Sequence, residues 1–282
     1  MPVTDLPADF QFSQTSLHDW QTCKRRFKYR YLDERAYPAP QTADQIEFEQ
    51  HAQRGDTFHQ LVHQHLVGID ENKLAAGITD AQVSGWWEQY LTHGLANIPQ
   101  PRHAEVLLTA PIGDYRLLAK YDLIAVEPGK RAVIVDWKTS EFRPSRSTLE
   151  RRMQTIVYRY LLVEAGAYYN DDQPIPLEQV EMVYWFANFP TQPEVLQYSA
   201  AQYHEDKTFL TNLVRDIAAE STFPLLPESD IDRVCRFCNY RSLCWENVTA
   251  GTLADMNALE TESDTEDFDV EIDLDQIAEI EF

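Results

Sequence analysis

The sequence predicts an α/β fold in which a mixed β-sheet is flanked by helices. Apolar runs that partly alternate with polar residues fill the middle of the chain, from Glu105 to Lys138. The turn-forming pairs Gly113-Asp114 and Pro128-Gly129 divide this stretch into strand-sized pieces. Helical periodicity dominates before and after it. With 282 residues, the chain is long enough to bury one large core.

The N-terminal part is predicted to form a helical insert ahead of the sheet. Ser16 is the predicted N-cap of its first helix, because a serine hydroxyl can accept a bond from a free backbone N–H group. The predicted helices cover residues 13–32 (one helix or two), 44–67, 80–95, 147–165 and 200–219. The predicted strands cover residues 105–110, 115–126, 132–138, 180–189 and 194–198. This order is typical of a sheet with helices on its faces.

The net charge of the chain is unevenly distributed. Residues 251–282 hold twelve of the acidic side chains and no lysine or arginine, so the net charge of −22 falls to −10 for residues 1–250. Basic residues form two clusters, which are Lys24, Arg25, Arg26, Lys28 and Arg30, and Arg143, Arg146, Arg151, Arg152 and Arg159. Because binding responds to the local field, a basic groove remains compatible with this acidic chain.

The charge distribution divides the chain into a folded unit over residues 1–250 and an acidic tail over residues 251–282. The composition of the tail favours a disordered, solvated segment. The alternative is a peptide for a partner protein or a mimic of nucleic-acid phosphates, since residues 268–274 alternate apolar and acidic side chains.

Membrane insertion and secretion are not expected from this sequence. No apolar run approaches the roughly 20 residues that cross a bilayer. The first ten residues, MPVTDLPADF, have neither the basic nor the apolar region of a secretion signal. We therefore expect a cytoplasmic protein without a membrane partner.

The four cysteines of the chain form a specific pattern. Cys235, Cys238 and Cys244 make a C-x2-C-x5-C cluster, and Cys23 lies more than 200 residues upstream. Four thiolates suit either one 4Fe–4S cluster or one tetrahedral zinc ion, and spacing does not decide between them. Without a secretion signal, such spacing favours a metal site over disulfides. Either group would tie the two ends of the folded unit together.

The segment AKYDLIAVEPGKRAVIVDWKTS contains the candidate chemistry. Side chains alternate along a strand, so Asp136 and Lys138 share one face while Trp137 takes the other. Asp122 ends the apolar stretch before the turn. Two carboxylates and a lysine are costly as core residues, but they suit a divalent cation such as Mg²⁺ or Mn²⁺. Such a cation activates water and offsets charge on a phosphoryl oxygen.

An Asp-x-Lys sequence alone is commonly an exposed strand end. Further polar residues before and after it in the chain favour a functional site instead. Gly55 and His59 lie on the second predicted helix, and Glu105 opens the first strand. Gln154 and Tyr158 are four residues apart and share one helix face.

The order of these motifs along the chain resembles the motif order of the RecB-like nucleases of the PD-(D/E)XK superfamily. The order is Gly55 and His59, then Glu105, Asp122, Asp136 and Lys138, and finally Gln154 and Tyr158. One cysteine before the core and three after it resemble the iron–sulfur branch, which includes CRISPR-adaptation exonucleases and the AddB nuclease domain. The resemblance covers residues 13–245 and implies a restriction-endonuclease-like fold over residues 1–250, closed by the cysteine cluster. It favours 4Fe–4S over zinc at Cys23, Cys235, Cys238 and Cys244.

The resemblance also implies roles for the site residues. The carboxylates of Asp122 and Asp136, the His59 imidazole and the Trp137 carbonyl would bind Mg²⁺ or Mn²⁺. Lys138 would be the catalytic lysine, holding the attacking water or stabilising the transition-state charge.

Three further roles have structural alternatives. Gln154 and Tyr158 would position the phosphate or the lysine, and Glu105 would support the ligands or a second metal. Glu105 is alternatively a surface carboxylate, Tyr158 a core aromatic residue, and His59 an ordinary helix histidine.

The implied function is a metal-dependent DNA nuclease acting on single strands or unpaired ends, in DNA repair, recombination or CRISPR adaptation. The two basic clusters are candidates to line the DNA channel. Trp20, Tyr29, Trp137 and Tyr158 are candidates for base stacking, with core packing as the alternative. No G-x4-G-K-[ST] motif is present, so unwinding would need a helicase or another DNA-processing partner. The alternative function is a non-catalytic or partner-activated DNA-binding scaffold with a nuclease fold.

Overall fold

The computed structural model describes residues 6–36, 43–252 and 255, without the side chains of residues 43–49. Its centre is a six-stranded mixed sheet with helices on both faces. The strands are β1 (Gln11–Phe12), β2 (Arg102–Ile112), β3 (Tyr115–Glu127), β4 (Arg131–Lys138), β5 (Val180–Phe186) and β6 (Glu194–Gln197). The predicted fold class is therefore confirmed. Nearly all of the predicted acidic tail lies outside the described residues.

Nine α-helices are present in the described part of the chain. They are α1 (Gln14–Thr22), α2 (Lys24–Phe27), α3 (Ala43–Leu66), α4 (Glu71–Ala75), α5 (Ala81–Gln89), α6 (Arg146–Arg151), α7 (Met153–Ala165), α8 (Ala200–Ala219) and α9 (Arg241–Cys244). Short π-helical segments extend α2 over Lys28–Leu32 and α5 over Tyr90–Gly94. In this set, no helix has the length and apolar character needed to cross a bilayer.

The first helix begins at a different serine from the one predicted. Ser13, not Ser16, is the N-cap of α1, and the two serines form a capping box. The Ser13 hydroxyl accepts from the Ser16 N–H at 3.2 Å, and the Ser16 hydroxyl accepts from the Ser13 N–H at 2.9 Å. The helix stops at Cys23, whose backbone is extended, and α2 restarts at the next residue.

The sheet separates two cores. Strands β2, β3 and β4 form an antiparallel meander, and β5 returns parallel to β4 after α6 and α7. On one face, α7 packs on β2, β3 and β5, and Val157 of α7 shares a core with Ile134 of β4. On the other face, α3 and α5 pack through residues such as Phe58, Trp86 and Val133. We call these two sides the α7 face and the α3 face.

Strands β3 and β4 pair over only part of their length. Their pairing runs from Glu127 with Arg131 to Leu123 with Val135, and β1 pairs with β3 only at positions 116 and 117. Residues 118–121 of β3 therefore have β2 as their only strand partner within the described sheet. We call this opening between β3 and β4 the fork.

Tyr158 on α7 closes the back of the fork. Its hydroxyl donates to the Lys120 carbonyl at 2.6 Å, and the side-chain amide of Gln14 lies 3.5 Å from the same hydroxyl. Tyr158 is 3% exposed. The tyrosine satisfies a backbone acceptor for which a neighbouring strand would otherwise supply a donor.

The aromatic residues considered for base stacking belong to the cores. Trp20, Tyr29, Trp137 and Tyr158 are all buried. A nucleic acid strand cannot stack on rings that neighbouring side chains already cover. The structure therefore supports the core-packing alternative for all four.

Replacing Tyr158 with phenylalanine tests the closure of the fork. We expect Tyr158→Phe to lower the free energy of unfolding by about 1–2 kcal/mol, because the buried Lys120 carbonyl loses its donor. Urea unfolding of both proteins measures this difference. Tyr168→Phe is the matched control, since Tyr168 is 78% exposed. An equal effect of the two substitutions would contradict the assignment.

Candidate active site

The fork brings the predicted acidic residues and the lysine together. Asp136 and Lys138 lie on β4 and are 3% and 5% exposed. The Lys138 Nζ lies 3.1 Å from one oxygen of Asp136. The Gln154 side-chain amide donates to the other oxygen at 2.8 Å. The expected sharing of one strand face is therefore present, with Trp137 in the core on the opposite face.

Asp122 enters the site from the other strand of the fork. One of its oxygens accepts from the Trp137 backbone N–H at 3.1 Å and lies 3.4 Å from His59 Nδ1. The side-chain alternation of β3 changes here, because Tyr121 and Ile124 face α7 whereas Leu123 faces α3. This change lets Asp122 reach His59 on α3 while it remains close to β4.

The electrostatic surroundings keep Asp122 ionised. Burial raises the pKa of its carboxyl, but the charge and hydrogen bond of His59 act in the opposite direction. The Lys138 charge and the Trp137 N–H add to the lowering, and the net pKa lies below its ordinary value. The site thus holds a carboxylate beside an imidazole, which are both groups that can ligate a metal ion.

Gln154 reaches the site because a helix breaks. One continuous helix was predicted over residues 147–165, but Arg152 has a non-helical ψ of 137° and separates α6 from α7. Gln154 therefore stands in the first turn of α7. The Tyr184 hydroxyl lies 3.4 Å from the Gln154 carbonyl oxygen, which leaves the amide NH₂ facing Asp136.

Glu105 lies beside the site but points to a lysine. It is located on β2 across from Asp122, between the pairs Ala104–Leu123 and Val106–Tyr121. Its φ is +55°, a value that is uncommon for residues other than glycine. The carboxylate forms an ion pair with Lys120.

The donor set at the fork suits a hard divalent cation. Two carboxylates and an imidazole are available from Asp122, Asp136 and His59. These groups are at present bonded to one another, to Lys138 and to Gln154. As the side chains stand, no three or more His, Cys, Asp or Glu residues in the described ranges form a ready-made metal site, either at the fork or among the four cysteines.

The four cysteines line one pocket. None of the four forms a disulfide. Burial raises the pKa of the Cys235 and Cys244 thiols, and it raises that of Cys238 to about 11 against the lowering effect of Arg26. Cys23 joins them from the junction of α1 and α2.

The first basic cluster is largely neutralised. Asp19 is buried and forms ion pairs with Arg26 at 2.6 Å and Arg30 at 3.0 Å. Lys24 pairs with Glu220, and Lys28 pairs with Asp33. These contacts hold α1, α2 and the end of α8 together. They leave little of the charge predicted to face a DNA channel.

The second basic cluster is also mostly paired. Arg143 and Arg146 both bind Glu194 on β6, at 2.6 Å and 2.7 Å. Arg159 is 2% exposed, lies over the Tyr198 ring and is 3.8 Å from Asp206. The expectation that Arg159 lines a DNA channel is therefore wrong. Its position on the buried side of α7 places it in the core.

Asn188 is a supporting residue that the sequence analysis did not identify. Its side-chain NH₂ donates to the carbonyls of Thr139 at 3.0 Å and Ser140 at 2.9 Å. Its carbonyl oxygen accepts from the Trp86 indole at 2.9 Å. These bonds fix the chain immediately after Lys138. An asparagine after a strand looks like a turn residue, so the sequence gives no signal for this role.

Two solved structures align with this chain at low sequence identity. No curated protein matches the sequence with significant similarity. The crystal structure of SSO0001 aligns with a TM-score of 0.41 and 15% identity, covering 85% of this chain and 87% of the other. A candidate exonuclease from Eubacterium rectale aligns with a TM-score of 0.48 and 10% identity, covering 87% and 92%.

The family comparison covers the whole candidate site. The model of the PD-(D/E)XK nuclease superfamily matches residues 11–245. This span begins at β1 and ends just beyond Cys244, so it includes the fork, the helical insert and the cysteine pocket. This chain therefore belongs to the PD-(D/E)XK nuclease superfamily.

Proposed function

We propose that this protein is a metal-dependent DNA nuclease that hydrolyses phosphodiester bonds in single strands or at unpaired DNA ends. The observation that carries the proposal is the convergence at the fork of Asp122, Asp136 and Lys138. These residues come from two strands that separate at this point. Two carboxylates and a buried ammonium group in a nuclease fold suit phosphodiester hydrolysis.

The metal ligands in this proposal are the carboxylates of Asp122 and Asp136, the His59 imidazole and the Trp137 carbonyl. A bound Mg²⁺ or Mn²⁺ ion would supply a Lewis acid for the phosphoryl oxygen and lower the pKa of water. The Trp137 N–H and the Gln154 amide hold one oxygen each of the two carboxylates. They orient these groups before any ligand arrives.

Lys138 stabilises negative charge in this proposal. Its ammonium group is buried, and a charge acts more strongly in such surroundings than in water. Asp136 holds it in place at 3.1 Å. Gln154 positions Asp136, while Tyr158 supports the β3 side of the fork, and Glu105 stands beside Asp122 to support the ligands or a second metal.

The biological process is part of the proposal. We propose DNA repair, recombination or CRISPR adaptation, on the basis of the ordered motifs and the four cysteines. A helicase or another DNA-processing protein would supply unpaired strands. The competing function is a non-catalytic or partner-activated DNA-binding scaffold.

The cysteine pocket holds a 4Fe–4S cluster in this proposal, with a structural zinc ion as the alternative. Its support is that all four thiols line one pocket although Cys23 is remote from the others in sequence. The role we assign is structural. The bound group would fasten the start of α2 to the segment that ends in α9.

Replacing the lysine tests the proposed chemistry. We expect Lys138→Ala to fold and bind DNA but to lose at least about 100-fold in cutting rate, because the charge that stabilises the transition state is gone. Asp136→Ala should behave similarly. Cutting of end-labelled single-stranded and duplex DNA with Mn²⁺, Mg²⁺ or EDTA measures the effect.

Lys130→Ala is the matched control for this experiment. Lys130 lies on the β3–β4 turn with a side chain that is 72% exposed, and its removal should leave cutting unchanged. Normal cutting by Lys138→Ala would refute the site assignment. Absence of cutting by the unmodified protein with its metal bound would favour the scaffold.

Replacing a cysteine tests the metal pocket. We expect Cys235→Ala to lose the bound metal and to melt at a lower temperature, since a thiolate ligand is missing. Iron, zinc and sulfide analysis of anaerobically purified protein identifies the group, and calorimetry gives the melting temperature. Ser242→Ala, at an exposed position next to the pocket, should change neither quantity. Native melting and full metal content in Cys235→Ala would exclude Cys235 as a ligand.

A further inference from the structure

The hairpin of β2 and β3 has one exposed face. Its other face packs in the α7 core through alternate residues, which are Val106, Leu108 and Ala110 of β2 and Leu117, Ala119 and Tyr121 of β3. On the opposite side, Leu107 is 58% exposed in the middle of β2. Lys120 lies directly across from it, with a side chain that is 45% exposed. Arg116 is exposed farther along β3. We call this surface the hairpin face.

The hairpin face leads to the proposed active site. Arg116 and Lys120 are four residues apart on β3 and share the side of the strand opposite the α7 core. Asp122, where the alternation changes, reaches the same side through His59 on α3. At about 3.3 Å per residue, Lys120 lies about 7 Å and Arg116 about 20 Å from Asp122 along the strand. Glu105 of β2 joins the same side through its ion pair with Lys120. The surface is therefore continuous with the fork.

Arg116 differs from most of the arginines predicted to contact DNA. Within the described part of the chain, its guanidinium has one polar contact, a hydrogen bond to the Thr109 hydroxyl, and no acidic partner. Arg26, Arg143 and Arg146, by contrast, are each paired with a carboxylate. An exposed arginine without a carboxylate is notable in a chain of net charge −22.

An exposed leucine near an arginine that has no carboxylate partner in the described part of the chain has a specific complement. Phosphates bind to Arg and Lys side chains, and sugars and bases present apolar surface between successive phosphates. A polynucleotide strand therefore matches both components of the hairpin face. An acidic peptide would match the cations as well, but only a polynucleotide has a reason to end at Asp122.

We propose that the hairpin face binds the backbone of the DNA strand that is cut and guides it into the fork. Arg116 contacts a phosphate, and Leu107 packs against a sugar or base. This inference rests on the proposed function and assigns that function a binding surface. It adds a phosphate contact outside the two basic clusters, in which most of the charges are paired with carboxylates.

Charge substitution at Arg116 tests the proposal. Binding is measured with a fluorescent single-stranded oligonucleotide and the Lys138→Ala protein, which does not cut it. When Arg116→Gln is introduced into the Lys138→Ala protein, we expect DNA binding to weaken about 5-fold. The slope of log affinity against log salt concentration should fall by about 0.7, which is the value for one phosphate contact on a single strand. Arg116→Lys retains the charge and should retain most of the affinity.

Arg215→Gln is the matched control, because the Arg215 side chain is 68% exposed on α8 and, among the described residues, forms an ion pair only with its neighbour Asp216. It should change neither affinity nor salt slope. Equal binding by Arg116→Gln and Arg215→Gln would overturn the proposal. If the unmodified protein cuts DNA in that case, the proposed function stands and only the hairpin face is wrong. If it neither binds nor cuts DNA, both fail.

A second pair of variants tests the apolar component. Leu107→Asp places a negative charge in the middle of the hairpin face and should weaken binding by at least as much as Arg116→Gln. Val67→Asp makes the same change at a position that is 61% exposed after the end of α3. It should leave binding unchanged. Unaltered affinity of Leu107→Asp would exclude contact between this face and the strand.

Discussion

The separation of β3 from β4 beyond the Leu123–Val135 pair is the constraint on which the site depends. Strands that stayed paired would satisfy their backbone groups with each other and leave no room for side chains between them. Here the freed groups bind to side chains instead. The Trp137 N–H donates to Asp122, and the Lys120 carbonyl accepts from Tyr158. These two backbone groups thus position one side chain at the fork and one behind it.

Ion pairs with carboxylates neutralise several of the positive side chains of this protein. The buried Asp19 forms ion pairs with two arginines, and Glu194 forms ion pairs with two others. Such pairs fix helices and strands to one another, although the net gain of each exposed pair is small. A consequence is that positive residues close in sequence do not make a positive surface. The acidic balance of the chain therefore limits contact with DNA phosphates to the few cations that lack a carboxylate.

The strands and the order of the site motifs were accessible from the sequence, because alternation and turn residues are local signals. The predicted strand over 115–126 is found at Tyr115–Glu127, and the predicted helix over 200–219 matches α8. The short strand β1, the break at Arg152 and the choice of Ser13 over Ser16 were missed. Two serines three residues apart can both cap a helix, and β1 is too short to show a period. The ion-pair partners of the arginines depend on contacts between distant segments, which no local pattern contains.

The bonds of Asn188 join two parts of the chain that are otherwise separate in sequence. Through them, the Trp86 indole on α5 connects to the carbonyls of Thr139 and Ser140. The helical insert is therefore mechanically coupled to the end of the strand that carries Lys138. An insert taken from a relative and grafted onto this sheet would need an indole, or an equivalent hydrogen-bond donor, at the position of Trp86. The side-chain amide of Asn188 therefore restricts which helical inserts this sheet can accept.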